Sequence, residues 1–187
     1  MSTNIIWRYL SKLFNYPIIK AQDLYDEIFG YDWETIYPKF GIILGGIPKQ
    51  KFLEDNKNSI VGIINMCDES TGYTFIDTFI DTLHLPTVDT YEPSLEYLWD
   101  AVEFIEQKLS SDESIDKFVY IHCRAGVGRS ATVSVAWLCY KFRMTPFEAF
   151  KELKINDRKL TENVIQGRIL PNFIMIVKIL SGIEKSN

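Results

Sequence analysis

The stretch from Lys117 to Leu138, KFVYIHCRAGVGRSATVSVAWL, restricts the fold more than any other part of the chain. A run of β-branched and aromatic residues ends at His122 and Cys123, passes through a short loop with Gly126 and Gly128, and opens into a long apolar segment. The first part is predicted to be a strand. From about Gly128 to Phe142 the apolar residues surround the helical wheel instead of striping it, so this helix is expected to be central and buried. A strand, a tight loop and a buried helix therefore follow one another without a spacer.

The flanking sequence repeats the alternation. FGIILGGIP, Phe40 to Pro48, is predicted as a buried strand stopped by glycine and proline, and KQKFLEDNKN after it as a short helix. Ser59 to Cys67 is a second strand, and Ile80 to Pro86 a third that ends at its proline. In PSLEYLWDAVEFIEQKL, Leu95, Leu98, Val102, Ile105 and Leu109 recur at spacings of three and four, which predicts an amphipathic helix with Pro93 in its first turn. TPFEAFKELK opens with Thr145, Pro146 and Glu148 in a capping-box arrangement. LPNFIMIVKILSGI closes the series as a last helix. The expected fold is α/β, a central, mainly parallel sheet of four to five strands flanked by helices.

Composition sets the outer limits. A chain of 187 residues, 47% of them hydrophobic, is sized for one core, and residues 31–187 are expected to form a single catalytic domain. A net charge of -5 argues against nucleic acid as a partner, because backbone binders present a basic face. The three cysteines, Cys67, Cys123 and Cys139, have neither disulfide-framework nor metal-ligand spacing, so no metal and no cofactor is expected. Residues 1–30 are a separate matter. Arg8, Lys12 and Lys20 precede the first acid at Asp23, and the opening segment is amphipathic without the apolar centre of a secretory signal. A mitochondrial presequence, an interfacial helix making peripheral membrane contact, and an ordinary helix docked on the domain all fit. Localisation is thus expected to be mitochondrial or cytoplasmic, not secreted.

The loop after the fourth strand has the makings of an anion cradle. With Cys123 at the strand's carboxyl end and a helix starting near Gly128, the backbone amides of Arg124, Ala125, Gly126, Val127 and Gly128 turn inward. Arg129 in the first helical turn offers parallel donors to the oxygens of a phosphate. The same field favours a thiolate on Cys123, which makes it a nucleophile at neutral pH. Ser130 is placed to donate to a departing thiolate. His122, on the opposite strand face, is expected to orient the loop and not to act as a base.

Phosphoryl transfer to a thiolate also requires a proton for the leaving oxygen. Asp89 in LPTVDTYEPS lies on the loop leaving the third strand, at the same carboxyl edge of the sheet as Cys123. Asp81 beside the strand and Asp100 on the helix are its rivals. Tyr91 and Glu92 flank Asp89, within reach of a substrate. Cys67, Cys139, His84, Trp99 and Trp137 are expected to be structural.

HCRAGVGRS resembles the His-Cys-x5-Arg-Ser/Thr signature of the cysteine-dependent protein tyrosine phosphatases, in their compact dual-specificity branch. Between Tyr31 and Lys154 the chain is most similar to the branch that contains the mitochondrial phosphatidylglycerophosphate phosphatases. The resemblance implies a metal-free phosphomonoesterase with Cys123 as nucleophile, Arg129 and the Arg124–Gly128 amides binding phosphate, and Asp89 as general acid. It implies a phosphorylated lipid headgroup as substrate, such as phosphatidylglycerophosphate or a phosphoinositide, with a phosphoprotein as the alternative. An inactive phosphate-binding adaptor is the rival from another class. Val127 stands where lipid-directed relatives often carry a second base, and INDRKLTENVIQGRILPNF replaces the expected arginine-proline segment, with Arg158, Lys159 and Arg168 as candidate substrate contacts.

Overall fold

The computed structural model describes residues 34–69, 80–110, 117–154 and 160–184. The first thirty residues and the pair Arg158 and Lys159 lie outside them. Five strands form one sheet: β1 (Thr35–Tyr37), β2 (Ile42–Gly45), β3 (Ile60–Cys67), β4 (Thr82–Thr87) and β5 (Phe118–His122). Their order is β1-β2-β5-β3-β4. β2, β5, β3 and β4 run parallel, and β1 adds an antiparallel edge. The helices are α1 (Gln50–Asp55), α2 (Leu95–Leu109), α3 (Arg129–Phe142), α4 (Pro146–Leu153), α5 (Asn163–Gln166) and α6 (Ile169–Glu184). The expected α/β fold and its strand-helix alternation are therefore present.

β5 occupies the centre because all five of its residues are buried, which only an inner strand of a covered parallel sheet permits. Its alternation divides the core. Val119 and Ile121 join the larger cluster with Leu98, Ile105, Trp137 and Phe173 under the helices. Phe118 and Tyr120 face the smaller one with Ile43, Leu53 and Ile63. Cys123 continues the first parity and belongs to the larger cluster, whereas the His122 ring lies 5.8 Å from that of Tyr120. α3 is buried from Arg129 to Cys139, and Trp137 Nε1 fastens it by donating to Phe40 O at 3.0 Å.

Three local expectations are refined. β1 spans only three residues, too short for a period-2 pattern to register, and it was not anticipated. β4 continues through Pro86 to Thr87; as an edge strand it tolerates a missing amide, and its register against β3 shifts between Asn65 and Cys67. α2 starts at Leu95, after Pro93, because Ser94 caps it by accepting from Tyr97 N at 3.1 Å. The Thr145 and Glu148 capping box on α4 is formed as the sequence indicates.

Two predictions follow from the β5 environment. A Cβ on Gly45 would lie 2.3 Å from the Tyr120 hydroxyl, which donates to Gly46 O at 2.8 Å inside the core. Gly45→Ala should therefore destabilise the fold by about 1–3 kcal/mol in urea denaturation. Burial pushes the His122 pKa down from 6.5 to about 4. The unfolded chain takes up this proton first, so the stability contribution is complete above pH 6.5 and is lost as pH falls toward about 4. Unfolding free energy measured across that window should decline less steeply in His122→Asn than in the parent chain.

Candidate active site

The carboxyl ends of β3, β4 and β5 converge on one point. β5 delivers Cys123, and the loop from Arg124 to Gly128 turns back into α3 with Gly126 at φ 71°, a conformation that a side chain resists. Gly128 then serves as N-cap and accepts from Thr132 N at 2.8 Å. A second tie fixes the loop from the β2 side, where Ile47 N donates to Arg124 O at 3.2 Å. The cradle is thus held at its start and its end by backbone bonds.

Cys123 lies at the floor, 3% exposed, and the Ser130 hydroxyl donates to its Sγ at 3.2 Å. Burial alone would raise the thiol pKa. The Arg129 charge, the Ser130 hydroxyl and the amides of Ser130 and Gly126 outweigh it, so the pKa falls below its ordinary value. Cys67 and Cys139 are pushed the other way by burial, Cys139 up to about 12. Cys123 is therefore the thiol among the three whose surroundings favour the thiolate. His122 Nδ1 donates to Cys123 O at 3.1 Å, and being uncharged at neutral pH the ring orients the loop.

Arg129 is 4% exposed and gripped from two strands. Its Nη1 and Nη2 donate in parallel to Glu69 Oε2 and Oε1, both at 2.8 Å, and Nη1 donates again to Thr87 O at 2.8 Å. Glu69 follows the end of β3 and Thr87 closes β4. Burial would lower the guanidinium pKa, but the Glu69 pair raises it, and burial of Glu69 is likewise overcome by Arg129, which holds that carboxyl below its usual range. Those bonds use the end-on edge of the guanidinium and the outer hydrogen of Nη1. The remaining Nε–Nη2 edge is the pair of donors suited to two phosphate oxygens.

Asp89 Oδ1 lies 3.1 Å from Arg129 Nη2, and the Asp89 side chain is 37% exposed. The structure therefore brings together Cys123, Arg129, Ser130, the Arg124–Gly128 loop and Asp89, as the sequence indicated. Asp81 instead pairs with Lys108, and Asp100 is exposed on α2. Arg168 is exposed, and its backbone amide is bonded to Glu92. His84 Nε2 meets Cys67 O at 2.7 Å, a structural role. Glu69 was not anticipated. Its signal was available in retrospect: an acid two residues beyond the end of a strand bonded to β5 stands at the same sheet edge as the cysteine.

Comparison with known proteins agrees with this geometry. The profile of the family "Dual specificity phosphatase, catalytic domain" matches residues 42–174. The phosphatidylglycerophosphate phosphatase PTPMT1 of Arabidopsis thaliana is 38% identical over 76 residues, 40% of this chain and 21% of the relative. The phosphatidylglycerophosphatase and protein-tyrosine phosphatase 1 of Rattus norvegicus is 30% identical over 145 residues, 71% of this chain and 72% of the relative. Among solved structures, PTPMT1 in complex with PI(5)P superimposes with a TM-score of 0.65 at 23% identity, covering 80% of this chain and 99% of that one. Tk-PTP in its active form gives 0.62 at 22% identity, covering 79% and 97%. The fold, the cradle and the family match together identify the chain as a member of the dual specificity phosphatase family, a cysteine-dependent hydrolase.

Proposed function

We propose that this protein hydrolyses phosphomonoesters through a phosphocysteine intermediate, with Cys123 as nucleophile, Arg129 and the Arg124–Gly128 amides as phosphate ligands, and Asp89 as general acid. The observation that carries it is the arrangement around Arg129: its Nη2 lies 3.1 Å from Asp89 Oδ1, while the helix it begins places Ser130 on the Cys123 sulfur.

In the first half-reaction the thiolate forms the S–P bond as the P–O bond to the leaving group breaks, and Asp89 passes its proton to the departing oxygen. Loop amides and Arg129 hold the equatorial oxygens and stabilise the charge that develops on them. In the second half-reaction water attacks phosphorus, Asp89 takes its proton, and the S–P bond breaks. Ser130 donates to the sulfur as its negative charge returns. Inorganic phosphate then leaves and the thiolate is restored.

A phosphorylated lipid headgroup such as phosphatidylglycerophosphate is the substrate we favour, supported by the names of the similar relatives and by the cationic, amphipathic residues 1–30. Those residues would give peripheral membrane contact at a mitochondrial or cytoplasmic surface. Among the described residues no helix is long and apolar enough to cross a membrane. Phosphoprotein is the second reading. It is favoured by Val127 in the loop, by the net charge of -5, and by the Drosophila melanogaster dual specificity protein phosphatase Mpk3, 33% identical over 103 residues.

Cys123→Ser should remove all measurable turnover of an aryl phosphate while leaving inorganic phosphate bound; wild-type turnover in that variant would end the mechanism. Iodoacetamide should alkylate Cys123 at neutral pH and spare Cys67 and Cys139, and Ser130→Ala, which removes a donor to the thiolate, should move the pH midpoint of alkylation upward. Phosphatidylglycerophosphate micelles and phosphotyrosine peptides assayed side by side should show kcat/KM at least about tenfold higher for the lipid. The reverse ratio assigns the enzyme to proteins.

A further inference from the structure

The stretch from Thr161 to Ile169 touches the site at both of its ends. At one end Thr161 approaches the phosphate loop: its backbone N donates to Val127 O at 3.0 Å and its Oγ1 donates to the same oxygen at 3.2 Å. At the other end, the first amides of α6 point at the acid loop. Arg168 N donates to Glu92 Oε1 and Oε2, and Ile169 N to Glu92 Oε2, all at 2.9 Å. Glu92 follows Asp89 by three residues and precedes the cap of α2.

The contact is built closely and against a firm base. A Cβ on Gly167 would lie 2.1 Å from Glu92 Oε1, although the glycine's own φ of -66° is open to any residue. An alanine there would displace the carboxylate end of the exposed Glu92 side chain without straining the backbone. α6 is set in the core by Leu170, 1% exposed, and by Phe173, 0% exposed, whose ring lies 4.6 Å from that of Trp99. The loop held against it is bent. Thr90 has φ 70°, unfavourable for a β-branched residue, within the turn closed by Tyr91 N donating to Val88 O at 3.1 Å. Such a conformation persists where its surroundings hold it. A carboxylate on the orphan amides of a helix start is a suitable hold, since charge and helix dipole add.

We propose that Glu92 is a positioning residue for catalysis: by tethering the acid loop to the start of α6, it holds Asp89 over the phosphate cradle. The segment from Thr161 to Ile169 then acts as a brace of fixed length, bonded to the cradle at Val127 and to the acid loop at Glu92. The proposal rests on Asp89 being the general acid. Glu92 touches no reacting atom, and its effect passes through Asp89. It should appear where proton donation is limiting and be absent where it is not.

The test is kcat/KM over a series of aryl and alkyl phosphates of rising leaving-group pKa, for the parent chain, Asp89→Ala, Glu92→Ala, Glu92→Gln, Gly167→Ala and the Asp89→Ala/Glu92→Ala double variant. Glu92→Ala should lose about 10-fold on an alkyl phosphate, part of what the acid itself supplies, and less than about 2-fold on 4-nitrophenyl phosphate. Gly167→Ala should copy it, Glu92→Gln should recover part of the loss, and the double variant should be no slower than Asp89→Ala. Inhibition by inorganic phosphate, which reads the cradle, should stay unchanged. An equal loss on both substrate classes, or a loss that multiplies with that of Asp89→Ala, would reduce Glu92 to a helix cap and overturn the proposal. A series that steepens in Asp89→Ala but stays flat in Glu92→Ala and Gly167→Ala removes the brace alone, whereas one that stays flat in Asp89→Ala removes the acid assignment and the brace with it.

Discussion

The guanidinium of Arg129 is where the sheet and the chemistry meet. A buried arginine without partners would be untenable, so its position requires acceptors around it. They come from separate strands, Glu69 beyond β3 and Thr87 at the end of β4, while Arg129 itself follows the Cys123 loop beyond β5. Satisfying one charge therefore draws three strand ends together. The parallel order of β5, β3 and β4 makes this possible, because parallel strands bring their carboxyl ends to a single edge.

The electrostatic balance is unequal in a useful way. Glu69 pairs with Arg129 through both carboxylate oxygens, yet the arginine still lowers the pKa of Cys123 against the opposing pull of burial. A second thiol at the same sheet edge, Cys67, is exposed to the same arginine and nevertheless moves upward, because burial dominates there and Glu69 opposes ionisation. What separates the nucleophile from its neighbour is the set of donors aimed at its sulfur, Ser130 and the loop amides, and not the proximity of a cation alone.

Local patterns revealed most of this site. The cradle is contiguous in sequence, so strand, glycine turn and helix start announce it together. Asp89 was legible through topology, since it leaves a strand at the edge where the cysteine must lie. Glu69 and Thr87 were hidden because each acts across space through one carboxylate or one carbonyl, 60 and 42 residues from Arg129. Thr161 was equally hidden, since it meets the loop by bonding to a backbone oxygen that no side-chain pattern marks. Pro93 and Pro86 misled slightly as boundary signals: the Ser94 hydroxyl set the start of α2, and an edge position let β4 run past its proline.

α3 has one further consequence. A helix buried from Arg129 to Cys139 is surrounded by side chains that fit it, so sequence change there disturbs the core before it can alter the site. The exposed side chains of Tyr91 and Arg168, on the two stretches that meet at Glu92, are under no such restriction. The fold thus divides inheritance into two parts. The cradle is built into the core and resists sequence change, while the exposed side chains beside it are free to vary, so that such a fold can alter the face it presents without relearning how to hold its loop.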